Sequence, residues 1–400
     1  MRRMTNTHPG LQTIAIHAGE APDPATGALV PPLYFATTFH FGSTEHGAAL
    51  FSGEEEGYVY TRWGNPTVDV LQKRVAALEG AEAGLATASG MAAIATSVLA
   101  SVKAGDHIIA ARSIYPSSYH LFAQNLGALG VETTFVDATD PQNVAGALRP
   151  NTRVIYLETP GNPSLALCDL EAISQLAHAA GAVVICDNTF ASPVNQQPLK
   201  WGVDIVVHSA TKYLNGHGDA IGGMILGTRE FIHHAGVDTL RYFGGILSPF
   251  NSYLVLRGTQ TLPLRMKQHN ANALAVAQFL EAQPCVDWVS YPGLASHPQH
   301  ALAQKQMTGL GGMISFEVKG GVEAGARLMD RLKLCALATS LGDARTLISH
   351  PASTTHSVLS RQSRLDQGVS DGLVRMSVGL EDVEDIISDL EQGLAWIQTS

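Results

Sequence analysis

Short apolar runs alternate with helix-like segments between Pro66 and Arg257, and this alternation constrains the fold more than any other feature of the sequence. The helix-like segments repeat apolar residues at spacings of three and four, and two of them end in glycine, at Gly80 and Gly181. The apolar runs are too short for helices and are predicted to be strands: HIIAA, TRVIYLE, AVVICDN, VDIVVHS and GGMILG. Apolar strands that alternate with helices predict a mainly parallel sheet covered on both faces.

The regions on either side have a different pattern, and we divide the chain into three parts. Residues 1–63 are rich in proline, glycine and aromatic residues without a sustained period, which predicts an extended N-terminal arm. Residues 64–257 form the predicted α/β domain, and residues 258–400 are predicted to form a smaller α+β domain. Toward the C-terminus we expect strands at MISFEV and LVRMSVG, and helices near 252–282 (where Pro263 would introduce a kink), 322–333 and 382–397.

Composition excludes several classes of protein. The 400 residues are 45% hydrophobic and 15% charged, which is typical of a globular chain and not of a disordered one. The net charge of -10 is spread along the sequence, which argues against nucleic acid and anionic membranes as partners. No run of about 18 apolar residues occurs, and the N-terminal MRRMTNTHPG lacks the apolar segment of a signal peptide, so we expect a cytoplasmic protein without a membrane span.

Metal and dinucleotide sites are not indicated. The four cysteines are far apart and form no C-x-x-C pair, which predicts reduced thiols and neither a disulfide framework nor a zinc site. The histidine pairs at 233–234 and at 297 and 300 lack convincing carboxylate or cysteine partners, so no metal is predicted. The glycine-rich GHGDAIGG does not join a strand directly to a helix, as a Rossmann phosphate loop would.

Polar residues follow two neighbouring predicted strands. Asp187 ends AVVICD, and Ser209, Thr211 and Lys212 follow or end DIVVHS. Because ligands bind at the carboxyl ends of strands in an open parallel sheet, a carboxylate and an amine could reach one crevice there. Taken separately, Asp187 could be a helix cap and Lys212 a solvated surface charge.

A predicted helix start adds a third signal. The segment TASGMAAIATSVLA places Ser89, Gly90 and Met91 where free backbone N–H groups and the helix dipole favour an anion such as phosphate, although alone this could be a plain turn. The hydroxyls of Ser209 and Thr211 would assist. An amine, a carboxylate and a phosphate cradle together predict pyridoxal 5′-phosphate (PLP) as cofactor.

The residue types match the chemistry of that cofactor. Lys212 would form a Schiff base with the aldehyde, and Asp187 would keep the pyridine nitrogen protonated. Tyr115, at a predicted strand-to-helix junction in SIYPSSYHLF, can stack on the ring and transfer a proton, and its alternative is a half-buried loop tyrosine. Arg375, in LVRMSVG, is expected to point inward and clamp a substrate carboxylate, and its alternative is an edge salt bridge.

A series of motifs runs from about Thr13 to Leu394: YTRWGNPT, ATASGMAAI, ETPGNP, VICDNTF, HSATKYLNGHGD, LSPFN, YPGLASHP, HPASTTHS and LVRMSVGLED. In this order they resemble the PLP enzymes of cysteine and methionine metabolism. This fold-type I group includes cystathionine γ-synthases and γ-lyases, methionine γ-lyases and O-acylhomoserine sulfhydrylases. The resemblance implies an amino-acid substrate.

The resemblance also implies roles for residues that their local pattern does not single out. Asn162, in ETPGNP, and Ser340, in TSLGD, are similar to family positions near the cofactor ring and the substrate carboxylate. Tyr60 and Arg62, in the arm, would reach the cofactor phosphate of a neighbouring subunit. The implied active unit is a homodimer within a homotetramer.

The motifs narrow the reaction to a few candidates but do not choose between elimination and replacement at Cγ. The wording is closest to methionine γ-lyases, which predicts γ-elimination from L-methionine to methanethiol, α-ketobutyrate and ammonia. Ser117 stands where those lyases usually carry cysteine, and Leu240 and Arg241 replace their Lys-Asp pair. LSPFN with Arg241 instead resembles O-acetyl- and O-succinylhomoserine sulfhydrylases, which form homocysteine. Thr339, where cystathionine enzymes often have glutamate, disfavours a cystathionine γ-lyase or synthase. A non-catalytic binding protein is disfavoured because the lysine, aspartate, tyrosine and arginine occur together.

Overall fold

The main sheet is formed by the apolar runs between residues 83 and 227. The computed structural model describes residues 9–355, 357, 360–366 and 368–398, so the first eight residues of MRRMTNTHPG lie outside the described residues. The seven strands are β1 (Ala83–Thr87), β2 (His107–Ala111), β3 (Glu132–Val136), β4 (Thr152–Glu158), β5 (Val183–Asp187), β6 (Ile205–Ser209) and β7 (Gly223–Gly227). Their order in the sheet is β1-β7-β6-β5-β4-β2-β3.

The five strands from β3 to β6 in this order are parallel, which confirms the prediction of a mainly parallel sheet. Strand β7 runs antiparallel to both β6 and β1. The connection of residues 210–222 contains no helix that crosses the sheet, so the chain returns antiparallel to β6. Lys212 lies in this connection, directly after the carboxyl end of β6.

Helices cover both faces of the main sheet. His208 of β6 contacts Glu79, and the next residue, Ser209, packs against Gly90, so the helices that carry Glu79 and Gly90 lie on opposite faces. The helices of this part are α1 (Leu11–His17), α2 (Thr44–Ser52), α3 (Pro66–Glu79), α4 (Gly90–Leu99), α5 (Pro116–His120), α6 (Leu126–Ala128), α7 (Pro141–Ala147), α8 (Leu170–Ala179), α9 (Ser192–Asn195), α10 (Arg229–His234) and α11 (Arg241–Phe243). Turns of π-helix at Leu121–Asn125 and Ala235–Leu240 join α5 to α6 and α10 to α11, and Pro198–Trp201 is a 3-10 turn.

Local signals determine where α3 begins and ends. The Asn65 side chain accepts the N–H of Thr67 at the first turn. Gly80 closes the helix with a φ of 76°, a left-handed conformation that glycine adopts without a Cβ penalty. The helix predicted here is therefore confirmed.

The single long helix expected near 252–282 is wrong, because the structure has two helices there. Helix α12 spans Pro249–Thr259 and α13 spans Leu262–Glu281. Pro263 lies in the first turn of α13, where its missing N–H would have no partner within the helix. The proline therefore starts a helix and does not kink one.

A second, smaller sheet follows. It contains β8 (Val286–Ser290), β9 (Met313–Val318), β10 (Ala336–Leu337), β11 (Leu347–Ser349) and β12 (Leu373–Ser377), in the order β10-β11-β12-β9-β8. Its pairs are antiparallel except β10 with β11. The remaining helices are α14 (His300–Gln306), α15 (Gly321–Arg331), α16 (Arg361–Asp366) and α17 (Val383–Gln398), with a 3-10 turn at Pro351–Ser353.

Helix α13 contributes to both large hydrophobic cores. Leu262 and Met266 belong to the core of the main sheet, whereas Val276 and Leu280 belong to the core of the second sheet. The protein is therefore an α/β structure with a mainly parallel sheet and a smaller second sheet whose cores share one helix. The division at residues 64 and 258 stays a prediction.

Candidate active site

A cavity of about 950 Å³ lies at the carboxyl ends of β2, β4, β5 and β6. The first turn of α4 and residues of the second sheet close it from two sides. Most of the predicted site residues line it: Ser89, Gly90, Met91, Tyr115, Ser117, Asn162, Asp187, Ser209, Thr211, Lys212, Thr339, Ser340 and Arg375. The structure thus brings together side chains from both ends of the sequence.

Lys212 presents a partly desolvated amine to this cavity. Its Nζ donates a hydrogen bond to the Oγ of Ser340 at 2.7 Å. Burial lowers the pKa of Lys212 to about 8, and the positive charge of Arg375 acts in the same direction. A minor fraction of the amine is therefore neutral near neutral pH, and this neutral form is the one that can act as a nucleophile or base.

Asp187 is a buried carboxyl group at the end of β5. It is 7% exposed, and its Oδ1 accepts the backbone N–H of Thr189 at 2.9 Å. Burial raises the pKa of Asp187, while the Thr189 bonds and the nearby His208 act in the opposite direction. A desolvated carboxyl group of this kind fits a cationic N–H partner such as the protonated pyridine nitrogen of PLP.

The start of α4 forms an anion cradle against β6. The Oγ of Ser89 accepts the N–H of Ala92 and caps the helix, which leaves the N–H groups of Gly90 and Met91 without a partner inside it. A Cβ at Gly90 would lie 2.8 Å from the Cβ of Ser209, so only glycine allows this approach. Together with the hydroxyl groups that line the cavity, these donors fit a phosphate.

Arg375 lies on β12 and reaches the main sheet. Its Nη1 donates to Oδ1 of Asn162 at 3.3 Å, and its Nη2 donates to the carbonyl of Thr339 at 2.7 Å. These bonds orient the guanidinium in the cavity beside Lys212 and Ser340. The geometry suits a carboxylate ligand.

Tyr115 directly precedes α5, as the sequence predicts; the residue lines the cavity and is 45% exposed. Its backbone N–H donates to Oε2 of Glu158 at 2.8 Å. Glu158 is a cavity residue that the sequence interpretation missed, although it ends β4 as Asp187 ends β5 and pairs with Asp187 across the two strands. Applying the strand-end rule to every strand would have found it.

Four predicted site residues do not line the cavity of their own chain: Tyr60, Arg62, Leu240 and Arg241. Arg62 Nη1 donates to the carbonyl of Arg241 at 2.7 Å, and the Arg241 guanidinium stacks on Trp63 at 3.9 Å from the ring centre. The side chain of Leu240 is buried. Their roles stay predictions.

The described ranges contain neither a candidate metal site nor a candidate membrane-spanning helix. No group of three or more histidine, cysteine, aspartate or glutamate residues within them could hold a metal ion. In the same part of the chain, no helix combines the length and the apolar character that crossing a membrane would require. All four cysteines are buried, and none forms a disulfide.

Comparison with known proteins gives one consistent result. The family described as Cys/Met metabolism PLP-dependent enzyme matches residues 12–395. The L-methionine gamma-lyase of Fusobacterium nucleatum subsp. polymorphum is 50% identical over 392 residues, covering 96% of this chain and 98% of the relative. The O-acetyl-L-homoserine sulfhydrylase of Leptospira meyeri is 44% identical and covers 96% of both chains.

A solved structure is similar to this chain over nearly its whole length. The crystal structure of metB from Corynebacterium glutamicum superposes with a TM-score of 0.92 at 42% identity, covering 97% of this chain and 98% of that one. With the cavity that fits a phosphate, a pyridine nitrogen and a carboxylate, these matches leave one conclusion. The chain belongs to the Cys/Met metabolism PLP-dependent enzyme family, and its cofactor is pyridoxal 5′-phosphate.

Proposed function

We propose that the protein is a carbon–sulfur lyase that converts L-methionine and water to methanethiol, α-ketobutyrate and ammonia, by elimination at Cγ followed by hydrolysis. One observation carries the proposal: the Lys212 amine, with its pKa lowered to about 8, lies 2.7 Å from Ser340 Oγ in a cavity shared with Arg375. Such an amine can take a proton from carbon while the arginine binds the substrate carboxylate. The 50% identity to a methionine γ-lyase supports the choice of substrate.

The side chains of the cavity divide the work between them. When bound, PLP supplies a ring that accepts electrons from the substrate Cα. Asp187 would keep the ring nitrogen protonated, and Arg375 would hold the substrate carboxylate. The Lys212 amine, oriented by Ser340, would remove the Cα proton and, after releasing it, would also accept the Cβ proton. Tyr115 donates a proton to the departing sulfur.

A homoserine sulfhydrylase is the second candidate, because it requires the same early proton transfers. Its product forms when the acyloxy group of an O-acylhomoserine leaves Cγ as a carboxylate and a small sulfur nucleophile adds there. The observation in its favour is Ser117, which lines the cavity where lyases are expected to carry cysteine, together with the 44% identity to an O-acetyl-L-homoserine sulfhydrylase. The substrate that supplies the four-carbon chain would be O-acetylhomoserine or the related ester O-succinylhomoserine.

A cystathionine γ-lyase or synthase is less favoured. Its substrate or product carries a second ammonium group, which calls for a carboxylate at the outer part of the cavity. Among the described residues that line the cavity, the carboxylates are Glu158 and Asp187, and both are buried at strand ends. Thr339 supplies no charge.

Direct assay of both reactions tests the proposal. The holoenzyme is incubated with L-methionine, and separately with O-acetyl- or O-succinylhomoserine plus sulfide, and α-ketobutyrate and homocysteine are measured. We expect α-ketobutyrate from methionine. If methionine yields no keto acid while an acyl ester rapidly yields homocysteine, the sulfhydrylase replaces the lyase.

We also propose a homodimeric active unit within a homotetramer. Tyr60 and Arg62 lie outside the cavity of their own chain, so their predicted contact with the cofactor phosphate requires a neighbouring subunit. Exposed apolar side chains also fit a subunit interface; they include Leu29, Val30, Phe35, Tyr242 and Phe243.

A cytoplasmic location is proposed because the buried cysteines form no disulfide.

Replacing Arg62 with alanine tests the contribution of the second subunit. Loss of a charge-assisted bond to phosphate costs about 1.5–3 kcal/mol, so we expect the PLP dissociation constant to rise about 10- to 100-fold. Titration of apoprotein with PLP, followed by visible absorbance, measures it. Arg149→Ala, an exposed arginine paired with Glu132, is the control and should bind PLP normally.

Mixed subunits separate the two possible origins of Arg62. When Arg62→Ala and Lys212→Ala chains are mixed and reassembled, a hybrid dimer has one site with both native residues if Arg62 acts across the interface. Activity should then exceed that of either variant alone. No gain on mixing, with exchange verified, would contradict the contact between subunits.

A further inference from the structure

Glu158 is a buried carboxyl group of the cavity that has no part in the reaction described above. It ends β4, is 4% exposed, and pairs with Asp187 at the end of β5. Its Oε2 accepts the backbone N–H of Tyr115 at 2.8 Å, and it also accepts the backbone N–H of Asn162. One carboxyl group therefore holds two main-chain segments that carry cavity residues.

Two hydrogen bonds hold the main chain of Tyr115: its N–H donates to Glu158, and its carbonyl accepts the N–H of Tyr119. Tyr115 is 45% exposed, and within the described residues no hydrogen bond of its hydroxyl is present. Pro116 follows and has no N–H to donate, so Glu158 accepts from the last N–H before α5 begins. The bond ties the main chain of Tyr115 to the carboxyl end of β4.

The surroundings of Glu158 act on the pKa of its carboxyl group in opposite directions. Burial and then the charge of Asp187 raise the pKa of Glu158 well above its usual range. The two backbone N–H groups and the guanidinium of Arg375 act in the opposite direction. Whether the carboxyl group is protonated or ionised, one of its oxygens can accept the N–H of Tyr115. The length of the Glu158 side chain therefore matters more than its charge.

We propose that Glu158 is a positioning residue, whose buried carboxyl group fixes the main chain of Tyr115 and Asn162 and so holds the Tyr115 ring against the plane of the cofactor. The inference rests on the proposed role of Tyr115 in the function above. It assigns Glu158 no contact with the reacting atoms. Its effect passes entirely through Tyr115 and Asn162.

Two conservative variants separate reach from charge. Glu158→Gln keeps the length and an acceptor oxygen but removes the charge, whereas Glu158→Asp keeps the charge and withdraws it by one methylene. Because small misplacements of catalytic groups lower rates strongly, we expect kcat to fall about tenfold or more in Glu158→Asp and less than about threefold in Glu158→Gln. The visible circular dichroism band of bound PLP should change in the same order.

Controls assign each outcome. Glu171 on α8 is an exposed carboxylate that pairs with Lys305. Its replacement, Glu171→Gln, should leave kcat and the dichroism band unchanged. In a Tyr115→Ala background, Glu158→Asp should cause little further change in either measurement. Melting temperatures of the apoproteins verify folding.

The possible failures are distinguishable. If Glu158→Gln lowers kcat more than Glu158→Asp, or if the Tyr115→Ala and Glu158→Asp effects simply multiply, the positioning role is wrong. If Tyr115→Ala itself leaves the dichroism band unchanged, the proposed stacking of Tyr115 on the cofactor is wrong, and the inference about Glu158 falls with it.

Discussion

Replacing Lys212 with alanine is expected to lower kcat by about 10³-fold or more, because general-base catalysis alone contributes about 10²- to 10⁴-fold. The same amine is expected to hold the cofactor covalently, so the variant loses two functions at once. The physical basis is burial, which lowers the pKa of Lys212 to about 8 and leaves a reactive fraction of neutral amine. Methionine turnover gives the kinetic effect.

Covalent attachment provides a measurement that does not depend on the reaction. Treatment of the wild-type holoenzyme with borohydride should fix the cofactor to the chain and increase its mass, whereas Lys212→Ala should show no increase. Lys200→Ala, at an exposed lysine, is the matched control and should behave as wild type. Normal turnover by Lys212→Ala would contradict the proposed mechanism.

Replacing Asp187 with asparagine should affect the holoenzyme and the apoprotein in opposite directions. Breaking a buried ion pair costs about 3–5 kcal/mol, so with the cofactor's ring nitrogen as partner we expect kcat to fall by about 10²- to 10³-fold. The amide keeps an acceptor for the Thr189 N–H but cannot carry the negative charge. Steady-state kinetics and PLP titration measure the loss.

The apoprotein should gain stability from the same change. Burial raises the pKa of Asp187 in the folded protein above its unfolded value, so ionisation near neutral pH destabilises the fold, and asparagine removes this penalty. We expect the free energy of unfolding of the Asp187→Asn apoprotein, measured in urea, to equal or exceed that of the wild type. A clearly less stable apoprotein would show that Asp187 has a structural role.

A carboxylate at the opposite end of the same strands is the matched control. Asp204 accepts the N–H of Val184 at 2.7 Å and pairs with His178, away from the cavity. Asp204→Asn should lower the unfolding free energy by about 1 kcal/mol and leave kcat unchanged. The pair of variants thus separates a catalytic carboxylate from a structural one.

In the main sheet, the strands that the sequence predicts are those buried on both faces. Strands β2 and β7 are buried at every position and appear as continuous apolar runs. Five strands were missed. Three belong to the second sheet, β8, β10 and β11, and two, β1 and β3, are the edges of the seven-stranded sheet and are only partly buried. Edge strands need no continuous apolar run, so AGLAT and ETTFV carry no strong local signal.

The same limit applies to the site. That Lys212, Asp187 and the start of α4 line one cavity was predictable, because each lies at or shortly after the end of a strand or at the start of a helix, positions that local sequence defines. Glu158 satisfies the same rule and was overlooked. Tyr60 and Arg62 have no local signal, and only the resemblance to the family indicated a role for them.

The sequence by itself determined the alternating strands and helices, the chemical groups at their ends, and therefore the class of cofactor. Only the tertiary structure decided which distant groups meet: Ser340 lies 2.7 Å from the Lys212 amine across 128 residues of sequence. The physical reason is that periodicity and capping are local, whereas a contact between two separately formed sheets depends on how their cores pack together. Burial of Lys212, and with it a pKa of about 8, exists only after that packing.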